Sequence, residues 1–455
     1  MAEPVRPRRV LVRGGRVVEP SGPRRADVLV EDGTIVAVEA TIAAPPGATV
    51  LDASGCVVGP GLVDLHTHLR EPGREDAETV ETGARAAALG GYTAVVAMPN
   101  TEPATDSAGA VRALQVLGAR ACVEVAIAGA ITVGRAGERL APFAEMAGLG
   151  VRLFTDDGRG VQHAGLMRRA LEYARPLGIV LAEHCEDEEL AAGGSMHEGA
   201  WSSRLGIPGQ PAIAEEAMVE RDIGLVRLTG APLHLLHLSC ARSVALVRAA
   251  RAEGLPVTAE ATPHHMSLTD AELAGYDPVF KVNPPLRPGA DLAAVRAGVL
   301  DGTIDAVATD HAPHPPESKE EPFDLAPPGM TGLETAFAVA YGALCCDAST
   351  GVPPWLAGSD PAQRRASIAE LFAAMSGAPA RIAGLDVASG QGGALRPGAR
   401  AHLCVVDLDA RWTVDPAASA SRSRNTPFAG RELVGRVRHT VCAGEPVVVD
   451  GKAVR

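Results

Sequence analysis

Eight short apolar runs, each followed by a stretch with helical spacing, dominate the middle of the chain. They read GLVDLHTH, YTAVVAMPN, CVEVAIAGA, VRLFTDD, IVLAEHC, PLHLLHLS, PVTAEATPHH and IDAVATDH. Between them lie Ala- and Leu-rich segments such as VETGARAAALGG, AGLMRRALEYARPLG and SVALVRAARAEG. Strands alternating with helices build a parallel sheet, because a helical crossover returns the chain to begin the next strand in the same direction. The expected fold is α/β, and eight such units point to a closed (β/α)8 TIM-like barrel. A doubly wound open sheet is the alternative, which the strand count disfavours.

The two ends have a different texture. RRVLVRGGRVV and ADVLVEDGTIVAVEA open the chain, and AHLCVVDLD, ELVGRVRHTVCAG and EPVVVDGKAV close it. Short β-rich runs parted by Gly-Gly and Asp-Gly are hairpin signals. The pattern predicts a small β-sandwich domain assembled from residues 1–58 and 385–455, with the barrel spanning 59–384.

Composition narrows the partners. A net charge of −13 argues against nucleic acid or an anionic membrane surface, both of which select basic proteins. No apolar run approaches the about 18 residues a membrane span needs, and MAEPVRPRRV lacks the apolar stretch of a signal peptide. The eight Cys show no CxxC spacing, so the expectation is buried free thiols in a reducing cytoplasm. Aromatics make up 3%, which leaves the core to Ala, Val and Leu.

The polar residues of the eight runs cluster at their C-terminal ends: His66, His68, Asn100, Asp156, Asp157, His184, His237 and Asp310. Any one alone is an ordinary polar residue leaving a strand. In a barrel these ends converge on one face, where catalytic groups lie. His66 and His68, two apart, share a side of an extended strand, and Arg70 continues their row. Four imidazoles with carboxylates suit Zn2+, and open positions on such a site hold water at a lowered pKa. Of the other histidines, His234 is expected to face away from His237, and His311 away from Asp310. His264 and His265 fall near the site without a role, and His163, His197, His402 and His439 have no neighbouring constellation.

PGLVDLHTHLREPG, TAVVAMPNT, FTDDG, AEHC, HLS, KVNPPLR and ATDHAPH, in that order, resemble the amidohydrolase superfamily, and closely class I dihydroorotase, over nearly the whole chain. The resemblance implies a zinc-dependent enzyme that reversibly cyclises N-carbamoyl-L-aspartate to L-dihydroorotate in pyrimidine (UMP) biosynthesis. Metal-bound hydroxide would be the nucleophile and Asp310 both a ligand and the general acid/base. It assigns His66 and His68 to one zinc and His184 and His237 to a second, with an aspartate of FTDDG bridging or supporting them. Spacing to His184 favours Asp157 over Asp156; one or two ions per chain fit, with two favoured.

The resemblance further implies substrate contacts from His68, Arg70, Asn100, Asn283 and His314, the arginine's planar fork suiting a carboxylate. Residues 312–330, rich in Pro and charge, become a loop that orders over substrate. The family usually carries an aromatic residue before the glycine of this loop. Here Pro328 and Gly329 stand at that point, leaving backbone contacts. Many related hydrolases bridge their metals with a carboxylated lysine on strand four, but this chain has no lysine before Lys281. An allantoinase- or hydantoinase-like cyclic amidohydrolase is therefore the lesser alternative, alongside a non-catalytic partner of aspartate carbamoyltransferase. A homo-oligomer and a complex with that transferase are the expected assemblies.

Overall fold

In a computed structural model, residues 8–347, 352–353, 355–356 and 364–455 are described. Eight parallel strands form the barrel: β1 (Leu62–Thr67), β2 (Tyr92–Ala97), β3 (Glu124–Ile127), β4 (Leu153–Phe154), β5 (Val180–Glu183), β6 (Leu233–Leu235), β7 (Val257–Ala261) and β8 (Ala306–Val307). They pair as β3-β2-β1 and as β4-β5-β6-β7-β8. Parallel bridges Gly129–Phe154 and Thr67–His311 close the two seams. At the second seam the Thr309 N–H also donates to Asp64 at 2.8 Å.

Helices between the strands start and stop where the local chemistry requires. Thr79 caps Val80–Leu89 with a capping box, and Gly178, with φ 64°, ends Ala164–Leu177 in the left-handed conformation that glycine adopts at no steric cost. Small side chains such as Ala84, Ala87 and Ala88 let Val80–Leu89 bury a close-packed face.

Alternation along the strands sorts the core into two layers. Val63, Leu65, Ala94, Val96, Ala128, Leu153, Ala182, Leu236, Ala306 and Ala308 fill the interior, and Ala380, Ala383 and Leu385 pack into the same cluster. Ser376, just before those residues, donates to the Gly61 carbonyl at the start of β1, so they plug the end of the barrel where the strands begin. Leu62, Val95, Ala97, Leu181, Leu233, Leu235, Ala259 and Val307 face the helices.

Strands from both chain ends build the second unit. Arg9–Arg13, Asp27–Glu31, Thr34–Glu39 and Thr49–Asp52 form a four-stranded sheet. The Asp-Gly hairpin falls where the sequence placed it, with Glu31 opposite Thr34 and both turn residues at positive φ. A seven-stranded sheet joins Val57–Pro60 antiparallel to the C-terminal strand Leu403–Thr413. Val10, Val12, Val28, Val30, Ile35, Leu51, Leu403 and Val405 form the core shared by the two sheets. Six of the eight cysteines are buried. Among the described residues no helix is long and apolar enough to cross a membrane.

Candidate active site

The His-x-His pair reaches the barrel interior through an irregularity. Asp64 pairs with Val95 and Thr67 with Ala97, so β1 uses three steps where β2 uses two. The extra residue is a β-bulge, and it transfers the inward row from Val63 and Leu65 to His66 and His68. Strict alternation would have carried that row on to Thr67 and pushed both imidazoles against the helices. His184 and Asp310 continue the inward rows of Ala182 and of Ala306 and Ala308. His237 follows the end of β6 at φ 28°, and Asp310 stands at φ 47° and Arg70 at φ 62°. Left-handed backbone at non-glycine residues is sparsely populated and concentrates at functional sites.

These side chains meet around Asp157. Its Oδ1 lies 3.2 Å from His66 Nε2, 3.5 Å from His184 Nδ1 and 3.6 Å from His237 Nε2. Its Oδ2 lies 3.4 Å from His68 Nε2. Asp310 Oδ1 adds contacts of 3.0 Å to His68 and 3.6 Å to His66. Two groups with metal-ligand spacing result, His66–His68–Asp157 and Asp157–His184–His237, with Asp157 in both. The neighbouring Asp156 turns away and accepts from the Thr132 N–H at 3.0 Å and from its hydroxyl.

The donor set fits a divalent cation. His66 Nε2 and Asp157 Oδ1 are buried without a hydrogen-bond partner, and His184 Nδ1 faces His237 Nε2 at 2.8 Å. Burial opposes charge on these groups, yet their mutual attraction outweighs it. The Asp157 charge holds His66 well above the usual imidazole range, and Asp157 and Glu186 raise His184 to about 10. Asp310 lies below the ordinary carboxylate range because of His66 and His68. A cation bound among these donors would displace protons from the imidazoles. Imidazole nitrogen and carboxylate oxygen are the donors zinc accepts.

The predicted substrate residues rim this cluster. Arg70 donates Nε–H to the Pro313 carbonyl at 3.2 Å. Burial lowers its guanidinium to about 10, so it stays charged at neutral pH. Asn100 Oδ1 is 2.9 Å from His68 Nδ1. His314 Nε2 is 2.9 Å from the Pro328 carbonyl, and burial together with the Arg70 charge lowers its imidazole to about 2. The Gly329 N–H donates to the Lys281 carbonyl at 2.9 Å, and Asn283 lies against Glu186.

Some residues carry more than the sequence reading gave them. Glu260, fully buried on β7, sits 2.9 Å from His66 Nδ1 and 3.1 Å from His234 Nε2. Burial works against its ionisation, but those imidazoles hold it at about 2. An acid inside the apolar run PVTAEA was the available signal. His234 therefore does not turn away from the site. It shares Glu260 with His66, and the same carboxylate receives the His237 N–H, because strand alternation ends at Leu235 and no longer separates 234 from 237. Arg135 donates to the Asp157 carbonyl, and nothing in the sequence signalled it. His311 does point away, to Glu78 at 3.2 Å. His265 is bound to Thr262 and the Pro284 carbonyl.

A family model described as Dihydro-orotase-like matches residues 55–243, and one described as Amidohydrolase family matches residues 349–448. The dihydroorotases of Pelotomaculum thermopropionicum and Mycobacterium tuberculosis are each 47% identical over 97% of this chain and 99% of their own length. Among solved structures, the L-hydantoinase (dihydropyrimidinase) of Arthrobacter aurescens superposes with a TM-score of 0.84 at 26% identity, covering 98% of this chain and 97% of that one. A D-hydantoinase from Thermus sp. gives 0.79 at 24%, covering 98% and 96%, a likeness of fold.

Proposed function

The chain belongs to the dihydroorotase family of cyclic amidohydrolases, and from that premise we propose that it interconverts N-carbamoyl-L-aspartate and L-dihydroorotate. The observation that carries this reading is the carboxylate of Asp157, common to both histidine pairs, with Asp310 and Arg70 at the same mouth.

His66, His68, Asp157, His184, His237 and Asp310 would hold zinc, two ions being the number that two ligand groups sharing Asp157 favour. Bound zinc supplies Lewis acidity toward the amide carbonyl and lowers the pKa of water. Asp310, kept ionised by its histidines, takes a proton from the attacking water and returns it to the ring nitrogen as the amide bond breaks. In the biosynthetic direction it removes the ureido proton and the steps reverse. Arg70, Asn100 and His314 hold the carboxylate that does not react, the arginine offering two parallel N–H donors. His314 has one N–H at neutral pH and gives it to Pro328, so the substrate carboxylate competes with that carbonyl. His68, Asn283 and the backbone at Pro328 and Gly329 position the ring, and the loop 312–330 excludes water.

The same reading divides the chain near residues 58 and 385, with Val57–Pro60 still in the sandwich sheet and Leu385 still in the barrel core. It puts the enzyme in the cytoplasm as a homo-oligomer able to associate with aspartate carbamoyltransferase. Ring opening of L-dihydroorotate by the zinc-supplied protein, beside Asp310→Ala and Arg70→Ala, tests it. Loss of activity in both variants, with metal content unchanged in Arg70→Ala, supports separate chemical and recognition roles. A wild type equally active on an uncharged hydantoin contradicts the carboxylate assignment.

A further inference from the structure

The substrate loop 312–330 is held from a distant part of the chain. Asn425 is 5% exposed and uses its whole amide on the loop's two stems. Its Oδ1 accepts from the His314 N–H at 3.2 Å, and its Nδ2 donates to the Ala312 carbonyl at 3.0 Å and the Gly329 carbonyl at 3.1 Å. Its own carbonyl accepts from the Thr331 N–H at 3.1 Å. The outgoing stem (Ala312, His314) and the returning stem (Gly329, Thr331) are thereby tied to one residue.

The tie leaves little slack. Gly329 stands at φ 142°, and a Cβ there would lie 2.7 Å from His314 Nε2 and 2.9 Å from Ala312 Cβ. The two stems pack too closely there to admit a side chain at 329. Asn425 is itself anchored through the preceding residues. The Ser421 hydroxyl and the Arg422 N–H, at 3.1 Å, donate to Glu78, and the Ser423 hydroxyl donates to the Ala77 carbonyl at 2.7 Å. Glu78 is fully buried, belongs to the segment that follows Arg70, and also holds His311. Residues 421–425 therefore connect the loop bearing Arg70 with the loop bearing His314.

We propose that Asn425 is a positioning residue that keeps the two stems of the 312–330 loop in register, and so sets where His314 and the Gly329 backbone meet the substrate. The inference rests on the dihydroorotase reading for the identity of that substrate. Its geometric part, the pinning of the loop, does not depend on it. A primary amide is the group that supplies two donors and an acceptor in one plane. Asp has nearly the same shape but turns an oxygen toward two carbonyls. Ala removes all three side-chain bonds.

Asn425→Asp and Asn425→Ala should each raise the KM for L-dihydroorotate about tenfold or more and leave kcat within about threefold, the signature of lost binding common to ground and transition states. Amide hydrogen exchange should quicken in residues 312–331 and stay at wild-type rates in β1 to β8, with metal content unchanged. An unchanged KM in Asn425→Ala would overturn the proposal. So would faster exchange spread over the whole barrel, or failure of both variants to fold, since the role would then be global. A wild type inert toward dihydroorotate would defeat the functional reading alone, and the exchange pattern would still decide the loop.

Discussion

The proposed metal half and the proposed substrate half of this site are held by different kinds of structure. His66, His68, Asp157, His184, His237 and Asp310 stand at or just past the ends of barrel strands, where ladder bonds fix the backbone before any ligand arrives. His314, Pro328 and Gly329 sit on a loop whose position comes from elsewhere. Asn425 ties its stems, and two of the chain's three lysines tie its middle. Lys281 donates to the Phe323 and Asp324 carbonyls at 2.9 and 3.0 Å. Lys319 reaches back to the Pro278 and Pro327 carbonyls at 3.1 and 2.7 Å. The lesson is a division of labour, with the metal-side groups fixed by the strands and the loop groups fixed by side chains reaching in from elsewhere.

That contrast can be broken from the metal side first, where the effects are largest. Asp310→Asn should lower kcat by roughly 10²–10⁴-fold, the usual worth of a positioned acid/base, with little change in KM. A large KM effect would place Asp310 among the recognition groups instead. Glu260→Gln removes the carboxylate behind His66 and should cost about 10–100-fold in zinc affinity or activity, read by zinc titration of the stripped protein. Unchanged affinity would reduce Glu260 to a structural acid.

Substitutions on the substrate side should act on KM. Arg70→Lys keeps a charge but loses the fork, and should raise KM about 10–100-fold, in line with loss of one charged hydrogen bond of about 1.5–3 kcal/mol. An equal fall in kcat would blur the boundary between the halves. The smallest effect belongs to Lys319. Burial and the Lys281 charge lower its ammonium from 10.5 to about 7. Between those values the unfolded chain binds a proton that the folded chain has released, so this group's contribution to stability rises with pH across that window. Below pH 7 its penalty is constant. Lys319→Met should remove the slope, so the wild-type unfolding midpoint should rise relative to the variant's between pH 7 and 9. Parallel curves would show that the amine titrates normally.

The strands, their order around the barrel and the imidazole set were legible because each leaves a local mark. Apolar runs end in His or Asp, and an Asp-Gly pair turns a hairpin. Spacing to His184 favoured Asp157 over Asp156, but what draws Asp156 aside had no local mark, since Thr132 lies 24 residues away. The bulge between Asp64 and Thr67 was equally silent: alternation puts His66 and His68 on one face, and the bulge turns that face into the barrel. Glu78, Arg135 and Asn425 act across the fold, and EDAET, VGRAG and SRSRNTPF contain no periodicity that reports such partners. Glu260 lies between these cases, visible as an acid in a buried strand but silent about its histidines.

The most direct test titrates zinc into chelator-stripped protein while following ring opening of L-dihydroorotate at neutral pH. The account predicts no activity without zinc, then activity that rises and saturates at one ion for each of the two ligand groups sharing Asp157. A zinc-filled protein that leaves dihydroorotate unopened, alone and with aspartate carbamoyltransferase, would contradict it.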